Sequence, residues 1–216
     1  SKNGVAKPMP EEESRERWTR LAESARFFTE LSEERKKDPK NDPLTAMVMA
    51  KDKNGEPAIP ADRILTHMNE LVAAGNDTTA NLIGHMVLLF TQNPDQLAKV
   101  LQDPSLWPNA VEEGLRMRGT SPGLFRITTR DVEIGGTTIP AESVVWLLYS
   151  SGGLDEDKFA DPMKFDVTRP NASEHISFGH GRHTCLGNPL ARLEARLALE
   201  ALYRQLPNLR ALPDQD

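Results

Sequence analysis

The most reactive group in this sequence is the thiol of Cys185, the only cysteine among 216 residues. It lies in a segment, residues 178–187, that contains three glycines, so the backbone there can turn sharply and approach a flat ligand closely. A helix is predicted to begin just after it, and the free amide groups at a helix start stabilise an anion such as a thiolate. Arg182 and His183 add positive charge nearby. This setting favours a thiolate with a chemical role over the commoner fate of a lone cysteine as buried filler.

The residues around this cysteine also match a known pattern. Phe178-x-x-Gly181-x-His183-x-Cys185-x-Gly187 resembles the haem-binding signature of the cytochrome P450 family, in which an Arg or His stands at the place of His183. The resemblance implies that Cys185 ligates the iron of haem b, where a thiolate donates electron density that promotes O–O cleavage. It also implies that His183 contacts a haem propionate. The haem-binding residues implied in this segment are Phe178, Gly179, Gly181, His183, Cys185 and Gly187.

Two other uses of Cys185 fit the spacing of its neighbours poorly. A phosphatase-type cysteine needs an arginine at a shorter spacing than that of Arg192. A zinc site could be imagined from His175, His180, His183 and Cys185, but the sequence has no Cys-x-x-Cys and no spaced pair of histidines. Haem ligation is therefore the favoured role.

A second chemical motif, residues 74–79, lies inside a long predicted helix. A glycine in a helix interior costs about 1 kcal/mol relative to alanine, and threonine hydroxyls compete for backbone carbonyls. As structure alone, the segment is either a weak point or a harmless packing notch. It resembles the oxygen-activation motif of the P450 family, Ala/Gly-Gly-x-Asp/Glu-Thr, where a local bulge opens a groove over the iron. The resemblance implies that Thr78 hydrogen-bonds dioxygen and water, that Asp77 supplies protons, and that Ala74 and Gly75 lie against the haem.

A charged pair on one predicted helix is the third motif. Glu113 and Arg116 stand at i and i+3, a spacing that by itself indicates a surface ion pair of little energetic value. Glu-x-x-Arg also resembles the helix motif of the same family, which uses a later arginine to lock the segment before the cysteine loop. Lys164, within Pro162–Phe165, stands at the place matched to that arginine. A lysine cannot copy a bidentate guanidinium, so the third member of the network is left open.

The same resemblance implies further positions that face a ligand. Arg126, which alone would be a surface charge at a strand edge, takes the place of an arginine that binds a haem propionate. The positions matched to the pocket above the haem are mostly small or apolar, which favours a small lipophilic substrate, although Glu70 hints at a polar or cationic group. Those pocket positions are Glu70, Ala73, Ala74, Pro122, Gly123 and Leu124.

These motifs need a mainly helical scaffold with a small sheet. Apolar residues spaced three or four apart predict six helices, and the third is apolar on most faces, which predicts a central position. The predicted helices span 11–37, 44–50, 60–93, 96–101, 109–117 and 189–206. β-Branched residues and turn signals predict short antiparallel strands within 125–139 and a further strand at 144–148. Residues 152–177 show little periodicity, which predicts a long irregular meander.

Composition and charge narrow the classes of function. Hydrophobic residues make up 38% and charged residues 27%, which is typical of a globular domain. The net charge of −6 argues against a nucleic-acid partner, which usually requires a basic face. No apolar run is long enough to cross a bilayer, and residues 1–10 lack the apolar stretch of a signal peptide, so we predict a cytoplasmic protein with no membrane partner. A single cysteine excludes an internal disulfide.

Taken over the whole chain, the resemblance implies a mainly α, cytochrome P450-like fold with a small antiparallel β component. We expect one partial domain over 1–216, matched from about Trp18 onward to the latter half of the family's fold. The chain is therefore expected to be a fragment or an unusual minimal form. The implied activity is that of a haem-thiolate monooxygenase of the soluble bacterial type, which inserts one oxygen atom from O2 into an organic substrate. Its electrons would come from NAD(P)H through a ferredoxin or flavoprotein reductase.

Two alternative functions share the haem site but not the reaction. One is a haem-binding module without turnover, and the other is a peroxide-driven peroxygenase. The intact Asp77 and Thr78 argue against both, whereas the missing parts of the family's fold favour the module. The basic residues Arg182, Arg192 and Arg196 form either a docking patch for the redox partner or a plain solvated helix face.

Overall fold

The computed structural model describes residues 9–210. Its helices are α1 (Glu11–Lys37), α2 (Pro43–Met49), α3 (Ala61–Gln92), α4 (Pro94–Gln102), α5 (Trp107–Arg118), α6 (Tyr149–Gly152) and α7 (Asn188–Gln205). Its strands are β1 (Leu124–Ile127), β2 (Val132–Ile134), β3 (Thr137–Ile139) and β4 (Val144–Leu147). The elements predicted from the sequence are all present with ends shifted by a few residues. The mainly α architecture with a small antiparallel β component is therefore confirmed.

The chain divides into two compact units, with the boundary inside α3 between Ala73 and Ala74. The expectation of one domain over 1–216 stays a prediction, and both ends of that range lie outside the described residues. In the first unit, Asp42 caps α2 by accepting hydrogen bonds from the Thr45 amide at 2.7 Å and from Arg35 Nε at 2.6 Å. The Thr45 amide, followed by the Arg35 guanidinium, lowers the pKa of Asp42 to about 2.

The core of the second unit is built from one face each of α3, α4, α5 and α7. Met86 and Phe90 stand one helical turn apart on α3 and are fully buried. Phe90 packs edge-on against Trp107, Phe165 and Tyr203, with ring centroids 5.8, 5.6 and 5.7 Å away. Such aromatic pairs stabilise by about 0.5–1.5 kcal/mol each beyond the area they bury. This cluster holds together α5, which carries the Glu-x-x-Arg motif, and α7, which follows the cysteine.

The apolar residues of α3 are buried unevenly, which corrects the prediction that the whole helix is central. Leu82 and Leu89 are both 2% exposed, whereas Leu71 and Val72 are 37% and 58% exposed. The reason is that apolar side chains on a helix are buried only where another element packs against them. No helix within residues 9–210, α3 included, combines the length and apolar character needed to cross a bilayer.

The four strands form two antiparallel pairs outside the core. β1 pairs with β4 in a register that sets Phe125 opposite Trp146, and β2 pairs with β3 across a turn at Gly135 and Gly136. These two glycines have φ angles of 57° and 76°, which the two-residue turn requires. From β4 to α7 the chain is mostly irregular, as predicted, apart from α6 and two short 3-10 turns.

Candidate functional site

The cysteine loop, residues 178–187, is closed by its own backbone. The Cys185 amide donates a hydrogen bond to the carbonyl of Phe178 at 2.9 Å. Gly179 and Gly181 have φ angles of 74° and 76°, a left-handed conformation that glycine adopts without strain. The glycines thus form the turn, and the thiol of Cys185 is exposed.

The first residue of α7 fixes the carbonyl of the cysteine. The Cys185 carbonyl accepts hydrogen bonds from the Asn188 amide at 3.3 Å and from Asn188 Nδ2 at 2.7 Å. Pro189 occupies the first turn of α7, where its missing N–H loses no helical hydrogen bond. A Cβ added at Gly187 would lie 3.9 Å from the sulfur, so the backbone passes close beside the thiol. The amide and carbonyl of Cys185 are therefore both fixed, while its thiol stays accessible.

The Glu-x-x-Arg pair lies in the core, so its interpretation as a surface ion pair is wrong. Glu113 and Arg116 are 0% and 1% exposed. Arg116 Nε and Nη2 donate to the two oxygens of Glu113 at 2.7 and 2.9 Å. Arg169 Nε donates to the same carboxylate and lies 3.1 Å from each oxygen. Two guanidinium groups thus compensate one buried carboxylate, whose burial alone would be strongly unfavourable.

The third member of this network is Arg169, and the match to Lys164 is wrong. The Lys164 side chain is 62% exposed, and its ammonium does not reach Glu113. Only the Lys164 carbonyl takes part, as an acceptor for both guanidinium groups of the network at 3.2 and 3.0 Å. The chain turns at Asp161, whose φ of 46° is left-handed and whose carbonyl accepts from Arg169 at 3.1 Å. This turn lets the later arginine reach the carboxylate.

The same guanidinium groups order the meander that precedes the cysteine loop. Arg116 Nη1 donates to the carbonyls of Gly153 at 2.6 Å and Pro162 at 2.8 Å. Arg169 Nη1 donates to the Ala160 carbonyl at 2.6 Å. Within residues 9–210, every buried side-chain nitrogen and oxygen has a hydrogen-bond partner. Side-chain donors therefore replace the backbone ladder that an irregular segment lacks.

Glu112, which the sequence did not single out, contacts residues on both sides of the cysteine loop. Arg192 on α7 donates to it from Nε at 2.5 Å, and His175 Nε2 lies 3.1 Å from it. His175, which entered the zinc alternative, is thus engaged with a carboxylate. Arg192 is engaged too, which weakens the docking-patch interpretation for this residue. No local pattern in the sequence announces these contacts, because 63 and 80 residues separate the partners.

The oxygen-activation motif on α3 is helical throughout, and all of it except the buried Thr79 is exposed. Residues 74–78 are all exposed, and a Cβ added at Gly75 would meet no atom within 4 Å. Thr78 Oγ1 donates to the Ala74 carbonyl at 2.6 Å, a bond that is compatible with helical geometry. The described α3 therefore lacks the bulge that the resemblance implied. Asp77 and Thr78 are both accessible to a ligand and to water.

The strand pair β1–β4 presents apolar side chains to solvent. Phe125 and Trp146 stack across the pair with ring centroids 5.6 Å apart, and they are 63% and 49% exposed. Ile127 and Val144 are exposed as well. Arg126, which lies between Phe125 and Ile127 on β1, is exposed and donates to the Phe125 carbonyl at 2.9 Å. Contiguous apolar surface of this kind is typical of a surface that another molecule or another segment of protein covers.

The positions predicted to line the substrate pocket differ in how the fold uses them. In the first unit, Glu70 and Ala73 are exposed, and Glu70 lies 3.3 Å from a histidine one turn earlier. In the second unit, Pro122 is exposed and Leu124 is 45% exposed. A Cβ at Gly123 would lie 2.0 Å from a carbonyl oxygen of β4, so only glycine permits this approach of the strands.

The described residues fit a thiolate-ligated haem. Cys185 offers one accessible sulfur donor beside a glycine-lined turn, and His183 and Arg126 are exposed hydrogen-bond donors. Within residues 9–210, no three His, Cys, Asp or Glu side chains are grouped to hold a metal ion by themselves. A porphyrin brings its own nitrogen ligands, so one axial donor from the protein is sufficient.

Comparison with known proteins supports this interpretation. The family model described as Cytochrome P450 matches residues 6–206. Cytochrome P450 107B1 of Saccharopolyspora erythraea is 39% identical over 88% of this chain and 46% of its own length. The 6-deoxyerythronolide B hydroxylase of the same organism is 38% identical over 96% of this chain and 51% of its own length. The structure of CYP109E1 from Bacillus megaterium in complex with corticosterone has a TM-score of 0.89 at 29% identity, covering 99% of this chain and 57% of that one. The chain spans about half the length of the curated relatives it matches.

Proposed function

Because this chain belongs to the cytochrome P450 family, we propose that it binds haem b through Cys185 and carries the oxygen-activating part of a monooxygenase. The proposed reaction inserts one oxygen atom of O2 into a small lipophilic molecule. The observation that carries this proposal is the fixed cysteine, whose amide and carbonyl are hydrogen-bonded while its thiol is exposed. A donor that is already in place binds its ligand without a further cost of loop ordering.

Several described residues would hold the haem. Cys185 supplies the sulfur ligand, and the left-handed glycines beside it let a flat ligand approach the backbone. Arg126 and His183 would donate to the propionates, anions that require strong donors when they are buried. When bound, the haem supplies the redox centre for dioxygen, and thiolate ligation favours O–O cleavage. The remaining predicted contacts are Ala74, Gly75, Phe178, Gly179, Gly181 and Gly187.

Asp77 and Thr78 would handle protons in this reaction. Thr78 Oγ1 donates to the Ala74 carbonyl, but its oxygen keeps lone pairs with which it can accept a hydrogen bond. Asp77 is exposed, so its carboxyl group can exchange protons with water. Asp77 would exchange protons with water, and Thr78 Oγ1 would accept a hydrogen bond from a water molecule and so position that water to deliver a proton to the reacting oxygen.

The exposed apolar strands support a lipophilic substrate. Leu124 begins β1 and is 45% exposed, and the neighbouring strand residues are likewise apolar and accessible. Two similar proteins have names that agree with this class: one is a hydroxylase of 6-deoxyerythronolide B, and another was solved with corticosterone. Electrons from NAD(P)H would arrive through a ferredoxin or flavoprotein reductase, for which Arg182 is an exposed cation in the cysteine loop.

Turnover of the haem-loaded chain tests this proposal. We expect product with NAD(P)H and a reductase but not with peroxide alone, and we expect Thr78→Ala to keep the haem while reducing equivalents are consumed without product. Thr91→Ala is the matched control, because Thr91 lies on the same helix and its hydroxyl also donates to the carbonyl four residues earlier, at 2.8 Å. Product with peroxide alone would favour a peroxygenase. Bound haem without turnover by either route would favour a binding module.

A further inference from the structure

Glu112 ties α5 to both ends of the cysteine loop. Its carboxylate accepts a bidentate pair from Arg192, with Nε at 2.5 Å and Nη2 at 3.0 Å. His175 Nδ1 accepts from the Ser177 amide at 3.1 Å, which places the ring proton on Nε2, the nitrogen that donates to Glu112. His175 precedes Cys185 in the chain and Arg192 follows it. One carboxylate therefore holds a residue on each side of the cysteine.

One arm of this network reaches the amide of Cys185. The Arg192 guanidinium lies 4.6 Å from the centroid of the Phe178 ring, and the His175 ring lies 5.9 Å from the same ring. The carbonyl of Phe178 accepts the hydrogen bond of the Cys185 amide at 2.9 Å. The two side chains that Glu112 binds thus pack on the residue that fixes one peptide group of the cysteine.

A second arm reaches the carbonyl of Cys185. Arg192 Nη1 donates to Asn188 Oδ1 at 2.9 Å. Because that bond fixes which end of the side-chain amide faces the arginine, Nδ2 of Asn188 faces the Cys185 carbonyl, to which it donates at 2.7 Å. Arg192 therefore contacts both residues that hold the backbone of the cysteine.

Burial and charge both favour this arrangement. The side chains of His175, Glu112 and Arg192 are 1%, 14% and 33% exposed. Burial raises the pKa of Glu112, but the hydrogen bonds from His175 and Arg192 outweigh burial and leave the pKa of this carboxyl below its ordinary value of 4.5. The ionised carboxylate accepts two parallel bonds from one planar guanidinium, which restricts its orientation more than a single bond would.

We propose that Glu112 and Arg192 are positioning residues for the sulfur ligand, acting through the amide and the carbonyl of Cys185. They hold the backbone so that the sulfur stays directed at the iron, and thereby set the fraction of haem that carries a thiolate ligand. This inference rests on the proposed function, because it requires haem at Cys185.

The absorption spectrum of the reduced, carbon-monoxide-bound protein measures that fraction, since thiolate ligation gives a strongly red-shifted Soret band. For the haem-loaded chain, we expect Glu112→Gln and Arg192→Met each to raise the ratio of unshifted to red-shifted band about tenfold. Asn188→Ala breaks one arm only, so its rise should be smaller, and it should add little in the Arg192→Met background. Spectra are taken below the unfolding midpoint of every variant. Arg192→Lys keeps the charge without the bidentate geometry and gives the same readout should a stronger variant lose its haem.

Glu200→Gln and Arg204→Met are the matched controls, because both residues lie on α7 away from the loop and Glu200 pairs with Arg196 at 3.8 Å. These variants should keep the unsubstituted spectrum. Unchanged spectra in Glu112→Gln and Arg192→Met, or equal changes in the controls, would overturn the inference. A chain that lacks the red-shifted band before any substitution would instead overturn the proposed function.

Discussion

Two regions of the second unit differ in whether their side chains have partners within the chain. Around α5, the neighbouring Glu112 and Glu113 each bind two side chains, and these contacts hold the meander and the cysteine loop. The open segments, residues 74–78 and the strand pair β1–β4, instead leave most of their side chains exposed. The cysteine side of the site is therefore ordered by contacts within the chain, whereas the open segments present surface that a bound ligand would cover.

The distinction between the two regions requires that neutralising Glu113 lowers the free energy of unfolding strongly. Glu113→Gln leaves two buried guanidinium groups without a counter-charge, so we expect the free energy of unfolding to fall by about 3–5 kcal/mol. Urea denaturation followed by circular dichroism measures this change. Val144→Thr, on an exposed strand position, is the control and should change stability by less than about 0.5 kcal/mol. Similar small effects for both substitutions would contradict the distinction between the two regions.

Lowering the pH should reduce the contribution of Glu112 to the free energy of unfolding. The folded-state pKa of Glu112 is below its ordinary value of 4.5, so its contribution to stability is present above that pH and is lost as the pH falls through the folded-state value. The difference in unfolding free energy between the unsubstituted chain and Glu112→Gln should therefore narrow below about pH 4.5, by no more than about 1.4 kcal/mol per pH unit. Denaturation curves at a series of pH values measure it. A difference in unfolding free energy that widens in acid would contradict this prediction. The control Glu200→Gln should show the same dependence of stability on pH as the unsubstituted chain.

The open segment of α3 should tolerate a methyl group in the absence of ligand. A Cβ at Gly75 meets nothing within 4 Å, so Gly75→Ala should stabilise the helix by up to about 1 kcal/mol. If residue 75 lies against the haem, the same substitution should lower haem affinity. Gly84→Ala also has open space and should stabilise equally without an effect on haem, as measured by thermal unfolding and haem titration. Equal haem affinity in both variants would remove Gly75 from the proposed site.

Local patterns predicted the helices and the cysteine loop, because both depend on residues that are close in sequence. The apolar spacing of α7 and the glycines at positions 179 and 181 carry their conformational preferences with them. The same patterns misplaced Leu71 and Val72 on α3, since the apolar character of a residue does not reveal whether a neighbouring element buries it. The family resemblance, rather than a local pattern, implied a bulge near Thr78, where the helix is continuous.

The distant partners in the two polar networks were not identified from the sequence, although the family resemblance implied that Glu113 and Arg116 belong to such a network. Arg169 reaches Glu113 across 56 residues, after a left-handed turn at Asp161 that no motif announces. Arg192 reaches Glu112 across 80 residues. The family resemblance matched Lys164 to the place of the later arginine, and only the folded path of the meander shows that Arg169 is the cation that reaches Glu113.

The most direct test of the central claim is the spectrum of the reduced, carbon-monoxide-bound chain with and without the substitution Cys185→Ser. We predict a strongly red-shifted Soret band in the unsubstituted protein and its loss in Cys185→Ser, because serine cannot replace the thiolate as an electron-donating ligand. A purified chain that binds no porphyrin, or a red-shifted band that persists in Cys185→Ser, would contradict the account.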